Sequence, residues 1–289
     1  IHSGDAESLT TLVIRVYPYK LFFVCVVPVK GRDPRIVQRL ERFIKECGLV
    51  HFTFRSDREP SIVAMIEEAC SLAGRRGLRE SDSSTGHMVS HDDLLNADGS
   101  VSLEPNISDE PDDGGPVNAS TSHTAAPEMT HPGESQSNGL AERAVGIWED
   151  QFRTLKHALE LRLKHRLPMA HPVTSWLVEH TAWVLNKIHP DSDGRTGYRR
   201  LYCRDGHERV CEFGEHIMWF VLKEMRAKMD QRWRYGMCFG RSPSSDQNYI
   251  GLSSGVVICA RAIVSVAPGM RWSHEAISKI NVTPLTLKA

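Results

Sequence analysis

Residues 134–145 read ESQSNGLAERAV, a polar stretch in which Asn138 and Gly139 form a turn and the following residues begin a helix. The pattern puts Glu142 in the first turn of that helix, facing outward where the dipole favours negative charge. A second carboxylate, Asp57, closes the apolar extended run HFTFRSD at residues 51–57. Acids from two separate elements can share a pair of Mg²⁺ (or Mn²⁺) ions, because these hard cations are held by oxygen ligands. Two such ions roughly 3.5–4 Å apart activate an attacking hydroxyl and stabilise the leaving oxygen of a phosphodiester. Each acid also has a plainer role open to it. Asp57 can cap the helix that starts at REPSI, and Glu142 can be an ordinary first-turn acid.

Upstream, residues 9–16 (LTTLVIRV) and 21–27 (LFFVCVV) are β-branched and aromatic runs across a short YPYK link, which predicts a hairpin. The second run is apolar almost throughout and so predicts a strand covered on both faces. Asp33 as cap, Pro34 at the first helical position and Gly48 at the end bound a helix. Its apolar stripe is Ile36, Val37, Leu40, Phe43 and Ile44. A strand at 50–55 follows, and Pro60 opens a second helix with Ile62, Val63, Ile66 and Ala69 inward. Strand, strand, helix, strand, helix predicts a mixed α/β layer. From about residue 75 to 133 the composition turns to Ser, Asp, Gly, Pro and Asn, which predicts a disordered acidic insertion.

Downstream, residues 139–166 carry Leu155, Leu159 and Leu163 at four-residue spacing, the mark of a long helix. A second helix is predicted from Val173 to Ile188, then a basic linker over 191–212. Short apolar runs punctuated by glycines over 213–267 predict a small β module, with a tail over 268–289. Trp176, Trp183 and Trp219 sit inside apolar patterns and read as core rather than as base-stacking platforms. His180 reads as an interior or edge histidine rather than a ligand, and no HExxH or His/Cys zinc spacing occurs.

The 289 residues are 40% hydrophobic and 25% charged, values of an ordinary soluble chain, and no apolar run is long enough to span a membrane. The chain opens IHSGDAES, which reads as a fragment or processed piece rather than a signal peptide. Seven scattered cysteines without a CxxC pair fit a reducing compartment. The net charge of −1 conceals an asymmetry. Ten of the 36 acids lie in residues 81–130, which hold no Lys or Arg, so 35 basic residues face 26 acids elsewhere, a formal +9. A basic body is compatible with a polyanionic partner.

FRSDREPSI (54–62) and GESQSNGLAERAV (133–145) resemble the second and third acidic motifs of the retroelement integrase catalytic core, specifically of copia-type retrotransposon Pol polyproteins. HPVTSWLVEHTAWVLNKIHPDSDGRTGYRRL (171–201), FGE (213–215), RWRYGMCFGR (232–241) and GVVICARAI (255–263) resemble segments that follow that core. The resemblance implies a ribonuclease H-like mixed sheet flanked by helices over 1–190, with a second, small SH3-like β module over 213–267. It implies an Asp, Asp, Glu triad in which Asp57 is the second aspartate and Glu142 the glutamate, with Asn138 and Gly139 as the supporting turn. The first aspartate is expected on a strand pairing with residues 9–16, a few residues before Ile1; Asp5 is the nearest acid present. The last strand of the sheet is expected before the SQSNG turn, yet residues 78–133 show no convincing apolar run. The amino-terminal zinc module of the family is absent from the 289 residues.

The implied activity is magnesium-dependent processing of DNA 3′ ends and strand transfer, on double-stranded DNA (element ends and target), by a homo-oligomer in the nucleus. The alternative is a degenerate or co-opted integrase-derived module that binds nucleic acid or protein without catalysis. Lys156, Lys164 and Arg166 on the long helix, and Arg195, Arg199, Arg200 and Arg204 in the linker, are candidate phosphate contacts. Solvated charge on a helix flank is their plainer reading. Such contacts would position DNA rather than read bases.

Overall fold

The computed structural model describes residues 9–17, 19–28, 33–54, 60–81, 124–127, 135–206, 211–243, 245 and 247–287. The fold is mixed α/β. The predicted hairpin is present: β1 (Thr11–Val16) and β2 (Leu21–Val26) pair antiparallel, with Thr11 opposite Val26 and Val16 opposite Leu21. Both faces of β2 are covered, as its unbroken apolar run requires. Phe22 and Val24 point into one cluster, and Phe23 and Cys25 into another on the opposite face.

The second cluster is formed with α1 (Pro34–Glu46) and α2 (Pro60–Ser81). Asp33 caps α1, its side chain accepting from the Arg35 N–H, and Gly48 follows the helix with φ of 63°. Ile36, Val37, Leu40 and Ile44 are buried from α1, and Met65, Ile66, Ala69 and Cys70 from α2. Between these helices runs β3 (His51–Phe54), paired in parallel with β4 (Thr124–Pro127), Phe54 lying opposite Pro127. This pair agrees with one expectation and corrects another: a strand does precede the long helix, although no apolar run marks it, and residues 124–127 are ordered within the stretch expected to be disordered. Four residues reading TAAP carry no apolar alternation. Pairing with β3 and packing on α2 supply the order that their own pattern does not.

The other cluster is built on α3 (Ser135–Leu163) and α4 (Pro172–Lys187). Ala144, Trp148, Phe152, Leu159 and Leu163 form the buried stripe of α3, with Trp148 and Phe152 stacked at 5.3 Å. α4 packs at once on β2, on α3 and on the second sheet, so it is apolar around most of its circumference. Trp176 and Trp183 are buried in it, and Trp219 is buried in the second sheet, in keeping with their reading as core.

A short helix α5 (Gly197–Tyr202), capped by Thr196, follows α4. Gly197 packs closely there, since a Cβ would lie 3.0 Å from Leu21 Cδ2 and 3.2 Å from the Tyr19 carbonyl. Then come β5 (His216–Phe220), β6 (Trp233–Arg241), β7 (Asn248–Gly251), β8 (Val257–Ala260) and β9 (Ile263–Ser265). They form a five-stranded antiparallel sheet in the order β8-β7-β6-β5-β9. Met237 and Phe239 of β6 join the α3/α4 cluster, and Trp176 contacts both Phe239 and Tyr249. The final stretch is anchored by α6 (His274–Ser278): Ile277 and Ile280 enter the same cluster, and the Trp176 indole N–H donates to Val282 O at 2.8 Å. Cys211 and Cys238 form a disulfide between the segment before β5 and β6, a pairing that nothing in the cysteine spacing signals.

Candidate functional site

Parallel pairing fixes the end at which the chain leaves β3 and β4. Because β3 and β4 run the same way, the chain leaves Phe54 and Pro127 at the same edge of their sheet. Asp57 is three residues beyond β3, and α3 opens eight residues beyond β4. In open α/β sheets, the carboxyl ends of parallel strands are where ligands bind. Asp57 itself lies outside the described residues.

Glu142 is exposed on α3. The helix begins at Ser135, so Glu142 is about two turns inside it rather than in its first turn. Asn138 and Gly139 are correspondingly helical backbone, not a turn, which corrects the expectation for that pair. Leu140, Ala141, Glu142, Arg143 and Ala144 are strong helix formers. Their combined preference outweighs the roughly 1 kcal/mol that one glycine costs in a helix interior. The dipole argument for Glu142 weakens accordingly, since that effect fades beyond the first turn. Its outward orientation stands, because Ala144, Trp148 and Phe152 take the inward stripe.

The basic candidates divide by their partners. Lys156 pairs with Glu160 at 2.5 Å, Arg199 with Asp205 at 3.2 Å, and Arg200 with Asp193 at 2.5 Å and Asp191 at 3.2 Å. Burial opposes ionisation of Glu160, but hydrogen bonds from Lys156 and the Leu167 N–H hold its pKa below the usual range. Asp191 is likewise held low, by the Lys20 ammonium and the Ser192 N–H. Lys164, Arg166, Arg195 and Arg204 are exposed and make no ion pair among the described residues. These four are the cations available to an outside anion. Lys156 could be set apart by its helical spacing of four from Glu160, but Arg199 and Arg200 could not, because Asp191 and Asp193 in the α4–α5 connection and Asp205 after α5 are brought to them by the fold.

Sequence reading also missed the ion pair that ties α1 to α4. Arg39 Nη1 and Nη2 donate to the two Glu179 carboxylate oxygens at 2.6 Å each. Burial works against the Arg39 charge, yet Glu179 holds its pKa above the ordinary value. Cys25 and Cys47 are pushed up to about 12 by burial and Cys70 to about 11, so none offers a thiolate near neutral pH. His180 is fully enclosed and lowered to about 4 by desolvation, stacked at 5.6 Å on Trp183 and near Phe213. It is an interior histidine, as its apolar setting in the sequence indicated.

Among the described residues no three His, Cys, Asp or Glu side chains converge to hold a metal ion. Of the two predicted metal ligands, Glu142 alone lies among the described residues, and it is exposed. No helix among them is long and apolar enough to cross a membrane.

No family model matches the sequence, and neither does any curated protein. Among solved structures, the chain is similar to a chain of the structure described as "CryoEM structure of simian T-cell lymphotropic virus intasome in complex with PP2A regulatory subunit B56 gamma". The match has a TM-score of 0.32 and 11% identity over 89% of this chain and 75% of that one. Superposition at that level carries no argument about fold or chemistry, and the functional reading rests on the motifs and the geometry above.

Proposed function

We propose that this chain derives from the integrase core of a copia-type retroelement, with a ribonuclease H-like first layer and an SH3-like second sheet, and that it engages double-stranded DNA. The observation that supports this most is the shared exit edge of β3 and β4. It directs the segment bearing Asp57 and the helix bearing Glu142 from the same side of one parallel pair. Three of the phosphate-contact candidates, Lys164, Arg166 and Arg195, lie beyond α3 and in the α4–α5 connection, and Arg204 follows α5.

On this reading the reaction is magnesium- or manganese-dependent 3′-end processing and strand transfer. Asp57 and Glu142 would be two of the carboxylates that hold the metal; the metal would activate the attacking oxygen and stabilise the leaving one. This chain's own contribution would be to hold those carboxylates and to position DNA through its phosphates. The work would take place in the nucleus, on a homo-oligomer that brings DNA ends together. A second reading is a non-catalytic DNA- or protein-binding module of the same descent; it is favoured by the absence, among the described residues, of three converging metal-ligating side chains.

The test is duplex binding as a function of salt. Replacing Lys164, Arg166, Arg195 and Arg204 together with Ala should flatten the slope of log K against log [salt] by about 3–4, at roughly 0.9 per phosphate contact. An unchanged slope would remove DNA from the proposal. With magnesium and an element-end duplex, Asp57→Asn should abolish strand transfer while binding persists; binding without transfer by the parent itself would select the second reading.

A further inference from the structure

One face of the second sheet is covered only in part. On β6, Tyr235, Met237 and Phe239 follow at two-residue spacing and so share that face. Met237 and Phe239 are buried in the cluster built on α3 and α4, whereas Tyr235 is 61% exposed. The strand register gathers further apolar residues beside Tyr235. Met218 of β5 lies opposite it, Val264 of β9 lies opposite Met218, and Phe220 lies opposite Trp233. The rings of Phe220 and Trp233 meet edge-on at 5.4 Å. The buried side of β5 is the other one, where Ile217 and Trp219 alternate with Met218 and Phe220 and join the inner cluster.

The β5–β6 loop extends this open surface. A 3₁₀ turn at Lys223–Met225 and a second turn, in which the Ala227 N–H donates to Asp230 Oδ2 at 3.0 Å, fix its path. Three of its apolar side chains nonetheless stand in solvent: Leu222 is 57%, Met225 63% and Met229 93% exposed. Residues 222–235 carry five basic residues against Glu224 and Asp230, a formal +3. Lys223, Lys228 and Arg232 are exposed and make no ion pair among the described residues. Arg261, also exposed, is brought beside the patch because the Phe220 N–H donates to the neighbouring Ala262 O at 3.1 Å.

Single exposed apolar residues are ordinary, but a contiguous set rimmed by charge marks an interaction surface. The two parts of the patch specify different things. Cations without partners favour carboxylates or phosphates. Leu222, Met225 and Met229 gain nothing from a phosphate backbone, whereas flexible methionines on a surface pack against varied apolar side chains of polypeptides. Together they select a protein segment over a nucleic acid.

We propose that the β5–β6 end of the second sheet is a docking surface for an acidic amphipathic segment of another protein. Its aliphatic or aromatic side chains would seat on Met218, Tyr235, Met225 and Met229, and its carboxylates would face Lys223, Lys228, Arg232 and Arg261. This surface uses neither acid of the predicted metal site nor the four cations assigned to DNA, so it holds whether or not the chain acts on DNA.

The probe is a capped twelve-residue peptide in which pairs of Glu alternate with pairs of Leu, added to the intact chain with its methionine methyls isotope-labelled for NMR. The Met218, Met225 and Met229 signals should shift saturably, while those of the buried Met65 and Met237 stay fixed. Serine in place of the peptide's leucines should weaken binding at least tenfold, as should Met225→Ser with Met229→Ser, both exposed and outside the core. Lys223→Glu, Lys228→Glu, Arg232→Glu and Arg261→Glu together should weaken it at least as much. Unmoved methyls, or equal affinity for the leucine and serine peptides, would overturn the proposal. So would a DNA duplex that moves the same methyls at lower concentration than the peptide, which would give the face to nucleic acid. Shifts that grow with chain concentration alone would overturn it in favour of a second copy.

Discussion

β6 and β1 are both strands of a sheet flanked by helices, yet among the described residues β6 has hydrogen-bonded neighbours along both edges and β1 along only one. Around β6, Met237, Cys238 and Phe239 are buried in succession, with α4 against one face and Ile217, Trp219 and Ile250 in the cluster on the other. Around β1 the helices are also in place, with α1 and α2 on one face and α3 on the other, but among the described residues a cavity lies beside the strand. The contrast separates two requirements of a sheet. Helices can cover its faces from amphipathic pattern alone, while its edges need strands in register. This chain meets the first requirement around the buried stretches of both strands and, among the described residues, the second only in the C-terminal sheet.

Equivalent truncations in the two regions should therefore cost unequal amounts. Trp176→Ala, in the hub between the two sheets, should destabilise by about 3–5 kcal/mol. Phe52→Ala on β3 should cost less, about 1–2 kcal/mol, because its side chain is only partly buried. Denaturant titration of both variants would measure the gap, and equal costs would erase the comparison.

The closed half should also carry the molecule's acid sensitivity. Unfolded His180 titrates near 6.5, whereas burial lowers it to about 4 in the fold. Its neutral form is the one the fold accepts, so its contribution is complete above about pH 6.5 and is lost as pH falls toward 4. At 1.36 kcal/mol per unit the loss is about 3 kcal/mol, and it should be absent in His180→Phe when unfolding free energy is followed across that range. A smaller effect sharpens the same point. Gly240 has φ of 94° and a Cβ there would lie 2.5 Å from His180 Nδ1, so Gly240→Ala should cost about 1–3 kcal/mol in thermal unfolding.

What the sequence made legible follows the same division. Face patterns were readable: the stripe of α1 with Asp33, Pro34 and Gly48 at its ends, the doubly covered β2, and the apolar α4 all stand where their spacing puts them. Features set by distant partners were not. β4 has no apolar alternation and exists by pairing with β3. Asn138 and Gly139 suggest a turn locally but are carried into α3 by the helix formers that follow. The arginines of the linker look like one positive cluster until Asp191, Asp193 and Asp205 are seen to neutralise Arg199 and Arg200. Of the candidate site, Glu142 and its exposure were legible, while the common exit edge that relates it to Asp57 required the parallel pairing.

The most direct test of the account is whether Asp57 and Glu142 hold the same ion. Mn²⁺ binding to the intact chain can be followed by electron paramagnetic resonance for the parent, Asp57→Asn, Glu142→Gln and the double variant. The account predicts at least a tenfold loss of affinity in each single variant and a double variant weakened by less than the product of the two, the signature of groups sharing one ligand. Parent-like affinity in both single variants, or losses that simply multiply, would contradict it.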